Sequence, residues 1–339
     1  MPPDPTTPSA VRITGTGRYL PERILTNAEL EKMVDTNDEW ITSRTGIKER
    51  RVAADDESTS DLAAKAALKA LESAGLAVDE VELIVVATVT PDMFFPSTAC
   101  FAQQKIGATN AVAFDISAAC SGFLFALQIA RNLVEHGAYR NALVIGAEKL
   151  SSLVNWKDRN TCVLFGDGAG AAVLQREGDL PRPKGGRVLS EVLRSDAEQT
   201  GILLVPGGGS ACPITAENAD ERLNSVKMEG REVYKHAVTR MKECALEVLE
   251  AADVTIEEVA LVIAHQANRR IIDAITDRLG VPEERCFLNV QHYGNTSAAS
   301  VAIALDEALE QGRIKPGDKI LFVAFGAGLT WAGSLMEWA

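Results

Sequence analysis

The sequence predicts an α/β protein made of two pseudo-symmetric halves, in which mixed, mostly parallel sheets are layered with helices. The main observation is that one order of elements occurs twice along the chain. The first copy reads LIVVATVT, helix, strand, SAACSGFLFALQIARNLVEHG, ALVIGA, and the second reads LVIAHQAN, helix, strand, GNTSAASVAIALDEALEQG, ILFVAFGAG. Such strand–helix–strand successions form right-handed parallel crossovers, and continuous apolar strands of this kind belong to buried sheets.

Composition supports a folded chain with a large interior. Its 339 residues, 46% hydrophobic and 24% charged, can bury one large core or two moderate ones. A net charge of −13 argues against a nucleic-acid-binding surface, although it leaves room for a local basic patch. The sequence has no apolar run near the ~18 residues that a membrane span needs. The six cysteines show no CxxC or zinc-like spacing, which favours reduced thiols in a cytoplasmic protein.

Three segments divide the chain. Residues 1–10 contain four prolines and no basic or apolar region, which predicts a disordered extension rather than a signal peptide. Residues 11–180 form the first α/β half. A change to Pro, Gly and acidic residues between positions 177 and 225 marks the beginning of the second half, residues 181–339.

Helices and strands are predicted from hydrophobic periodicity, from residues that can cap the start of a helix and from glycines that can end one. Helices of the first half are predicted over residues 26–33, 58–74, 97–106 and 120–136. Its strands are predicted over residues 11–17, 81–88, 111–116, 142–147 and 165–174, the last after a glycine turn. Helices of the second half are predicted over residues 229–252, 269–279 and 295–311, and strands over 258–264 and 319–324.

The glycine run FGDGAGAAVL resembles a phosphate-binding loop only superficially. It lacks the Gly-Lys-Ser/Thr ending of a P-loop, and a strand follows it instead of the helix that a dinucleotide fingerprint requires. Close backbone packing is the better explanation of these glycines.

Cys120 lies where a strand leads into a helix that is apolar on most of its circumference. The free N–H groups and the positive dipole end of that helix favour a thiolate, and the small neighbours leave room for a reactant. A buried structural cysteine is the alternative, and it is the commoner fate of a lone Cys. The residues around Cys120 leave both interpretations open.

The internal repeat relates Cys120 to two other side chains. Asn295 opens the helix that corresponds to the Cys120 helix, and His265 ends the strand that corresponds to residues 83–90. If the halves face each other across a pseudo-twofold axis, these three side chains converge on one site. A fourth residue, Trp40, stands isolated among arginines; it is either packed beneath solvated charges or offers a flat face to a nucleotide base.

Six motifs stand in order along the chain: DEWITSRTGI, FDISAACSGF, FGDGAGAAVL, HQANRRI, GNTSAAS and FGAGLTWAG. The likeness that they carry covers roughly residues 10 to 339. With them the chain closely resembles the β-ketoacyl-acyl carrier protein synthase III family, the initiating condensing enzymes of bacterial fatty acid synthesis, which have the thiolase fold. The resemblance implies a decarboxylative Claisen condensation of a short acyl-CoA, expected to be acetyl-CoA, with malonyl-acyl carrier protein. It also implies a homodimer, and no metal or redox cofactor.

The resemblance assigns expected roles to individual residues. Cys120 is the nucleophile, His265 and Asn295 stabilise the decarboxylating malonyl group, and the backbone of Cys120 and Ala327 forms the oxyanion hole. The residues expected to bind coenzyme A are Trp40, Arg44, Arg159 and Asn268. Those expected to contact the carrier protein are Gln266, Arg269, Arg270 and Lys235. Phe95 is expected to line the acyl pocket across the dimer interface.

Two positions depart from the family pattern. Ala327 stands within a late loop that is usually a run of glycines, and Asp277 stands where a basic docking residue is common. A related acyltransferase or a ketosynthase of secondary metabolism, using a longer or aromatic acyl-CoA, shares the same three catalytic residues and remains the alternative. A papain-like hydrolase also uses Cys, His and Asn, but the duplicated pattern does not fit its local signature.

Overall fold

The computed structural model describes residues 9–339, so nearly all of the predicted extension over residues 1–10 lies outside the described residues. The strands are β1 (Val11–Tyr19), β2 (Arg23–Thr26), β3 (Glu49–Val52), β4 (Leu83–Ala87), β5 (Val112–Ile116), β6 (Asn141–Glu148), β7 (Gly168–Arg176), β8 (Gly186–Ser195), β9 (Leu203–Leu204), β10 (Lys227–Met228), β11 (Val259–Ala264), β12 (Lys319–Gly326) and β13 (Thr330–Trp338). The α-helices are α1 (Asn27–Leu30), α2 (Asp38–Thr45), α3 (Thr59–Ala74), α4 (Thr98–Ile106), α5 (Gly122–Glu135), α6 (Gly230–Ala251), α7 (Arg269–Leu279), α8 (Val290–Tyr293) and α9 (Ala299–Glu310).

The main sheet repeats one pairing pattern in each half. Its strand order is β11-β12-β13-β8-β1-β7-β6-β4-β5. In the first half β4 is parallel to β5 and β6, and the pairs β6–β7 and β7–β1 are antiparallel. In the second half β11 is parallel to β12, and the pairs β12–β13 and β13–β8 are antiparallel. An isolated parallel bridge between Val262 and Cys286 stands in the place of β5.

The halves join where β1 and β8 pair over a short stretch, Arg12 with Arg187 and Ile13 with Gly186. The division of the chain into residues 11–180 and 181–339 stays a prediction.

The helices form three layers around this mixed sheet. Helix α3 packs on β1 and β7, and α6 packs on β12 and β13, as the two outer layers. Between the halves lie α5, against β4 and β6, and α9, against β1 and β7. The central core between these surfaces draws on both halves, for example on Phe123 and Leu127 of α5 and Val301 and Leu305 of α9. The layered α/β architecture predicted from the repeat is therefore present.

Several helix ends lie where the cap residues predict them. The side chain of Ser97 accepts a hydrogen bond from the backbone N–H of Cys100 at the start of α4. Gly75 and Gly280 end α3 and α7 in the left-handed conformation, with φ values of +70° and +71°, which glycine adopts without steric cost.

The start of helix α5 differs from the predicted start at Cys120. The helix predicted from Cys120 begins at Gly122, because residues Ala119–Ser121 form a separate 3₁₀ turn. Ala119 has a φ of +45°, a backbone conformation that an α-helix does not contain. Cys120 therefore lies on a turn before the helix and not in its first turn.

Strands β8 and β13 lie in the middle of the sheet but carry little sequence signal. Strand β8 includes the charged residues Arg187, Glu191 and Arg194 and is mostly half-buried, so it lacks the apolar run of a central strand. Its position is decided by pairing with β1 and β13, which are remote in sequence.

The glycines of FGDGAGAAVL have the packing role predicted for them. A Cβ atom added at Gly170 on β7 would lie 2.6 Å from both the backbone nitrogen of Ile303 and the Cβ of Ala302 on α9. The central helix therefore lies directly on the strand backbone, at a distance that no larger residue permits.

Substitution Gly170→Ala is expected to destabilise the protein by about 1–3 kcal/mol, because α9 or β7 must move to admit one methyl group. The free energy of unfolding in urea measures this effect. Gly178→Ala is the matched control, since a Cβ there meets no atom within 4 Å. Equal stability of the two variants would contradict the packing explanation.

Candidate active site

A cavity of about 1190 Å³ lies between the halves, and residues from both line it. Cys120, His265 and Asn295, the three side chains predicted to converge, all face this cavity, together with Ala327. The tertiary structure thus brings together residues that lie up to 175 positions apart in the chain (120 to 295).

The loop of the second half that carries Gly326 and Ala327 packs against the backbone of Cys120. A Cβ atom on Gly326 would lie 2.5 Å from the backbone nitrogen of Cys120, so this loop can approach the turn only as glycine. Oγ1 of Thr330 lies 3.0 Å from the carbonyl oxygens of Ala118 and of Ala327, so that its hydroxyl can donate to either one. These contacts tie the Cys120 turn to the loop that carries Ala327.

The electrostatics of Cys120 differ from the sequence-based expectation of a thiolate. Burial, together with the nearby carboxyl of Glu148, raises the pKa of the Cys120 thiol to about 12. A hydrogen bond from the Ser297 side chain and one from the backbone lower the pKa, but less than burial raises it. Cys120 lies on the turn directly before α5, and burial is the largest of the causes that act on its pKa. The free protein holds a thiol.

His265 follows directly on β11 and is buried. Its backbone N–H donates to the carbonyl oxygen of Val323 at 2.8 Å, and its Nδ1 lies 2.6 Å from Oγ of Ser300. Burial lowers the pKa of the imidazole to about 3, so the ring is neutral. If Ser300 donates to Nδ1, the ring proton lies on Nε2, the nitrogen left to meet a substrate.

Asn295 is positioned by the glycine-rich segment of the first half. Its backbone N–H donates to Leu164 at 2.8 Å, and its carbonyl oxygen accepts from Gly166 at 3.0 Å. Its side-chain Oδ1 accepts from the backbone N–H of Ser297 at 2.8 Å. With Oδ1 engaged, the NH₂ group is the end of the amide that can donate hydrogen bonds into the cavity.

Trp40, Arg44 and Asn268 line the outer part of the cavity. The guanidinium carbons of Arg159 and Arg44 lie 4.5 Å and 5.0 Å from the centroid of the indole ring. Asn268 caps α7 by accepting from Arg270 N–H at 2.8 Å and donates to the Arg44 carbonyl oxygen at 3.2 Å. The four predicted residues are therefore neighbours, but Arg159 packs directly on Trp40, so a base would have to enter between them.

The predicted carrier-protein residues fall into two groups. Arg269, Arg270 and Lys235 are exposed, and the Arg270 guanidinium lies 5.7 Å from the ring centroid of Tyr234 at the cavity wall. Gln266, by contrast, is buried at 1% exposure. Its amide donates to the carbonyl oxygens of Ala264 and Phe287 and accepts from the backbone N–H groups of residues 289 and 290. The expectation that Gln266 touches a partner is wrong, because its side chain is used inside the fold.

Phe95 does not line the cavity of its own chain. It is 84% exposed, and the wall beside it is formed by Met93 and Phe94 instead. Its expected place in the pocket of a partner subunit stays a prediction.

Sequence reasoning missed a buried carboxyl group near Cys120. Glu148, the last residue of β6, is fully buried and accepts hydrogen bonds from the hydroxyls of Thr90 at 2.7 Å and Ser297 at 3.1 Å. Burial raises its pKa to about 7 against these hydrogen bonds. In the sequence, Glu148 is only the acidic residue that ends the mostly apolar run NALVIGAE. Hydrophobic periodicity alone does not tell whether such a residue is buried or faces solvent at the end of a strand.

Within residues 9–339, no helix is long and apolar enough to cross a membrane. The same range contains no group of three or more His, Cys, Asp or Glu side chains placed to hold a metal ion.

The chain is similar to known proteins over nearly its whole length. Residues 114–197 match the family model for 3-oxoacyl-acyl-carrier-protein synthase III, and residues 249–338 match the model for its C-terminal part. The β-ketoacyl-acyl-carrier-protein synthase III of Caldanaerobacter subterraneus subsp. tengcongensis is 56% identical, covering 97% of this chain and 98% of the relative. The crystal structure of the Aquifex aeolicus synthase III is 49% identical, with a TM-score of 0.88 over 97% of this chain and 100% of that one.

A fourth comparison bears on the alternative. The priming β-ketosynthase of a polyketide biosynthetic pathway is 36% identical, with a TM-score of 0.88, covering 98% of this chain and 97% of that one.

The raised pKa of Glu148 predicts a specific pH dependence of stability. The folded protein binds this proton more tightly than the unfolded chain, whose carboxyl has the ordinary pKa of 4.5. Stability is therefore lost as the pH rises from 4.5 to about 7, by about 3 kcal/mol in total. Glu148→Gln removes this titration, so its stability relative to the parent protein should increase by that amount over the same pH range.

Urea denaturation at about pH 4.5, 6 and 8 measures the difference between Glu148→Gln and the parent protein. His265, whose lowered pKa costs stability as the pH falls below 6.5, is common to both proteins and cancels. A stability difference that is constant with pH would show that Glu148 does not titrate in this way.

Proposed function

This chain belongs to the β-ketoacyl-acyl-carrier-protein synthase III family, and we propose that its cavity performs the family's condensation through Cys120, His265 and Asn295. The reaction joins a short acyl-CoA, acetyl-CoA, to malonyl-acyl carrier protein and releases CO₂ and CoA. It initiates fatty acid synthesis and uses the CoA thioester as a substrate, without a cofactor. The observation that carries the assignment of residues is the meeting of these three side chains, from two halves, in one cavity.

In the first stage, Sγ of Cys120 attacks the thioester carbonyl carbon and CoA leaves, so that the acyl group is carried on the cysteine. Negative charge develops on the carbonyl oxygen during the attack. The backbone N–H groups of Cys120 and Ala327 are the donors we assign to it, and one such donor contributes about 3 kcal/mol in a comparable hydrolase site. The contact between Gly326 and Cys120 supports this pairing, because it brings the two segments together.

In the second stage, Nε2 of His265 and the amide NH₂ of Asn295 donate hydrogen bonds to the malonyl thioester carbonyl. They stabilise the enolate that forms as CO₂ departs, and this carbanion attacks the acyl group on Cys120. Two features support the assignment. The pKa of His265 is too low for an imidazolium near neutral pH, and Asn295 is oriented with its amide oxygen already engaged.

The acyl-CoA and the carrier protein are proposed to approach from the same side. Trp40, Arg44, Arg159 and Asn268 are the candidates to bind coenzyme A, supported by the stacking of arginines on the indole. Arg269, Arg270 and Lys235 are the candidates to contact the carrier protein, supported by their exposure. Since Arg269 is paired with Asp273 and Glu283, Arg270 is the strongest of the three.

A homodimer is proposed from the edge of the sheet. Strand β5 ends the strand order, and Val112 on it is 49% exposed. The neighbouring Phe94 and Phe95 are 82% and 84% exposed, an unusual exposure for two adjacent aromatic rings. A second copy of the chain would cover them and would place Phe95 against the partner's cavity.

The cytoplasm is proposed as the compartment. All six cysteines, which lie within the described residues, are free, as expected where thiols are kept reduced.

A ketosynthase of secondary metabolism is the second candidate, and the 36% identity to a priming polyketide ketosynthase favours weighing it. The two differ in the acyl donor. Values of kcat/KM for acetyl-CoA, branched acyl-CoA and long or aromatic acyl-CoA with malonyl-acyl carrier protein discriminate between them. A preference for acetyl-CoA supports the initiating synthase, whereas a preference for long or aromatic donors supports the alternative.

Cys120→Ala should abolish transfer of label from radiolabelled acetyl-CoA to the protein, because no acceptor thiol remains. His265→Ala and Asn295→Ala should retain most of this labelling but lose decarboxylation of malonyl-acyl carrier protein by about 100-fold or more, the usual effect of losing transition-state donors. Release of labelled CO₂ measures the second step.

Cys100→Ala is the matched control, since Cys100 is exposed and does not line the cavity. Normal labelling of Cys120→Ala would disprove the nucleophile assignment. Equal loss of both steps in the His265 and Asn295 variants would disprove the division of roles.

Trp40→Ala should raise KM for acetyl-CoA by about tenfold and leave kcat nearly unchanged, because loss of one base-stacking contact weakens binding by about 1–3 kcal/mol. Steady-state kinetics with saturating malonyl-acyl carrier protein measures both constants. Trp156→Ala serves as control, because Trp156 is likewise half-buried against the same core but does not line the cavity. An unchanged KM would remove Trp40 from the CoA site.

A further inference from the structure

Asn295 lies on the short connection between α8 and α9 and belongs to neither helix. Its backbone is held by the other half of the chain. Its N–H donates to the carbonyl oxygen of Leu164 at 2.8 Å, and its carbonyl oxygen accepts from the N–H of Gly166 at 3.0 Å. These two bonds form an isolated parallel bridge between Phe165 and Asn295. The position of the Asn295 amide in the cavity therefore depends on the segment 163–166.

The segment 163–166 lies in a turn before β7, and Arg50 of β3 holds it in place. Nη2 of Arg50 donates to the carbonyl oxygen of Val163 at 2.8 Å. Nη1 of the same group donates to the carbonyl oxygen of Leu25 at 3.0 Å and to Oδ1 of Asn27 at 2.9 Å. A guanidinium group is planar and rigid, so the directions of its donors are fixed relative to one another. One side chain thus joins the segment to β2 and to the start of α1.

The stem of Arg50 packs against both chain segments of the bridge. A Cβ atom added at Gly166 would lie 3.1 Å from Cβ of Arg50, and one added at Gly294 would lie 3.2 Å from the same atom. The next residue of β3 continues the contact, because the carbonyl oxygen of Arg51 accepts from the N–H of Asp167 at 2.9 Å. Strand β3 therefore supports the bridge through side-chain packing and through backbone hydrogen bonds.

Arg50 is a buried cation with neutral partners. Its exposure is 0%, and its three acceptors are two carbonyl oxygens and one amide oxygen. Within residues 9–339, its buried Nε has no hydrogen-bond partner. Burial lowers the pKa of the guanidinium to about 10, so the group is still charged near neutral pH. A buried charge without a full set of partners costs free energy, which points to a role in geometry more than in stability.

We propose that Arg50 is a positioning residue for Asn295: from outside the cavity it fixes the segment 163–166, and the bridge at Phe165 passes this constraint to the Asn295 amide. The amide is thereby aimed at the malonyl thioester carbonyl in the second stage. Arg50 does not line the cavity, so it acts only through Asn295. The inference deepens the proposed function and rests on it.

The other two catalytic side chains are held by different contacts. The turn of Cys120 packs against Gly326, and the ring of His265 is engaged by Ser300. The hydrogen bonds of Arg50 go to none of these residues. Loss of the Arg50 fork is therefore expected to harm the second stage and to spare the first.

Arg50→Lys keeps the positive charge but replaces the planar fork by one ammonium group, which does not reproduce the directions of both Nη atoms. It should slow decarboxylation of malonyl-acyl carrier protein by about 100-fold, the effect of displacing a reacting group by about 1 Å. Acyl transfer from acetyl-CoA to Cys120 should stay within about threefold of the parent rate, because Cys120 keeps its place. Release of labelled CO₂ and rapid-quench labelling measure the two steps.

Equal loss of both steps in Arg50→Lys would assign Arg50 a purely structural role and overturn the proposal. Decarboxylation within about threefold of the parent rate would also overturn it. Arg50→Gln is the second variant, for the case that a buried lysine prevents folding, since a neutral amide avoids the cost of burying a charge. The same division between the two steps is expected of it, and the same outcomes would contradict the proposal.

A measurement without substrate tests the positioning directly. Hydrogen exchange of the Gly166 and Asn295 amides reports on the bridge, and the amide of His265, which donates to Val323, is the internal reference. In the parent protein the two bridge amides should exchange slowly. In Arg50→Lys they should exchange at least about tenfold faster relative to the reference. Fast exchange in the parent protein, or unchanged relative rates in the variant, would overturn the proposal.

Arg12→Lys is the matched control. Arg12 is another buried arginine, on β1; it donates to the carbonyl oxygen of Gly185, pairs with Glu177 and does not line the cavity. The variant should leave both reaction steps and the bridge amides unchanged, and a comparable loss of decarboxylation would overturn the specific role of Arg50. Absence of both steps in the parent protein would refute the proposed function itself. The exchange rates would still report on whether Arg50 fixes the bridge, so the two failures are distinguishable.

Discussion

The close packing of α5 and α9 between the two halves is the constraint on which the rest of the site depends. Each helix belongs to one half, and each is preceded by a segment whose side chains line the cavity, Cys120 before α5 and Asn295 with Ser297 before α9. Glycines on the strands allow this approach: a Cβ on Gly146 would lie 2.4 Å from the carbonyl oxygen of Ala298. Because a close-packed interior is nearly incompressible, the relative positions of the two segments are set by the core.

Burial in that interior also sets the protonation states. Cys120 is a thiol, His265 is a neutral imidazole, and the pKa of Glu148 lies near neutrality, each because the charged form loses solvent. A neutral His265 is suited to donate a hydrogen bond to a carbonyl group, as the proposed second stage requires. An exposed site with these side chains would hold different charges and would have different chemistry.

The outer part of the cavity is formed by long arginine side chains that lie on aromatic rings. Trp40 is covered by the guanidinium groups of Arg44 and Arg159, and these long side chains can move aside without disturbing the core. Arg270 rests on Tyr234 at the same rim. The inner residues are thus fixed by backbone packing, whereas the residues proposed to meet coenzyme A and the carrier protein lie on adaptable surface elements.

Much of this protein could be predicted from its sequence. The repeated order of apolar strands and small-residue helices predicts the layered α/β fold, because periodicity and glycine stops act locally, and the repeat relates Cys120 to Asn295 and His265. The helix boundary at Gly122, the burial of Gln266, and the place of β8 and β13 could not be predicted, because they depend on contacts between segments remote in the chain. The raised pKa of Cys120 and the meeting of Glu148 with Ser297 are also tertiary. Desolvation and hydrogen-bond partners exist only once both halves enclose the cavity, so sequence determined which chemical groups are available and the tertiary structure decided their charge and their neighbours.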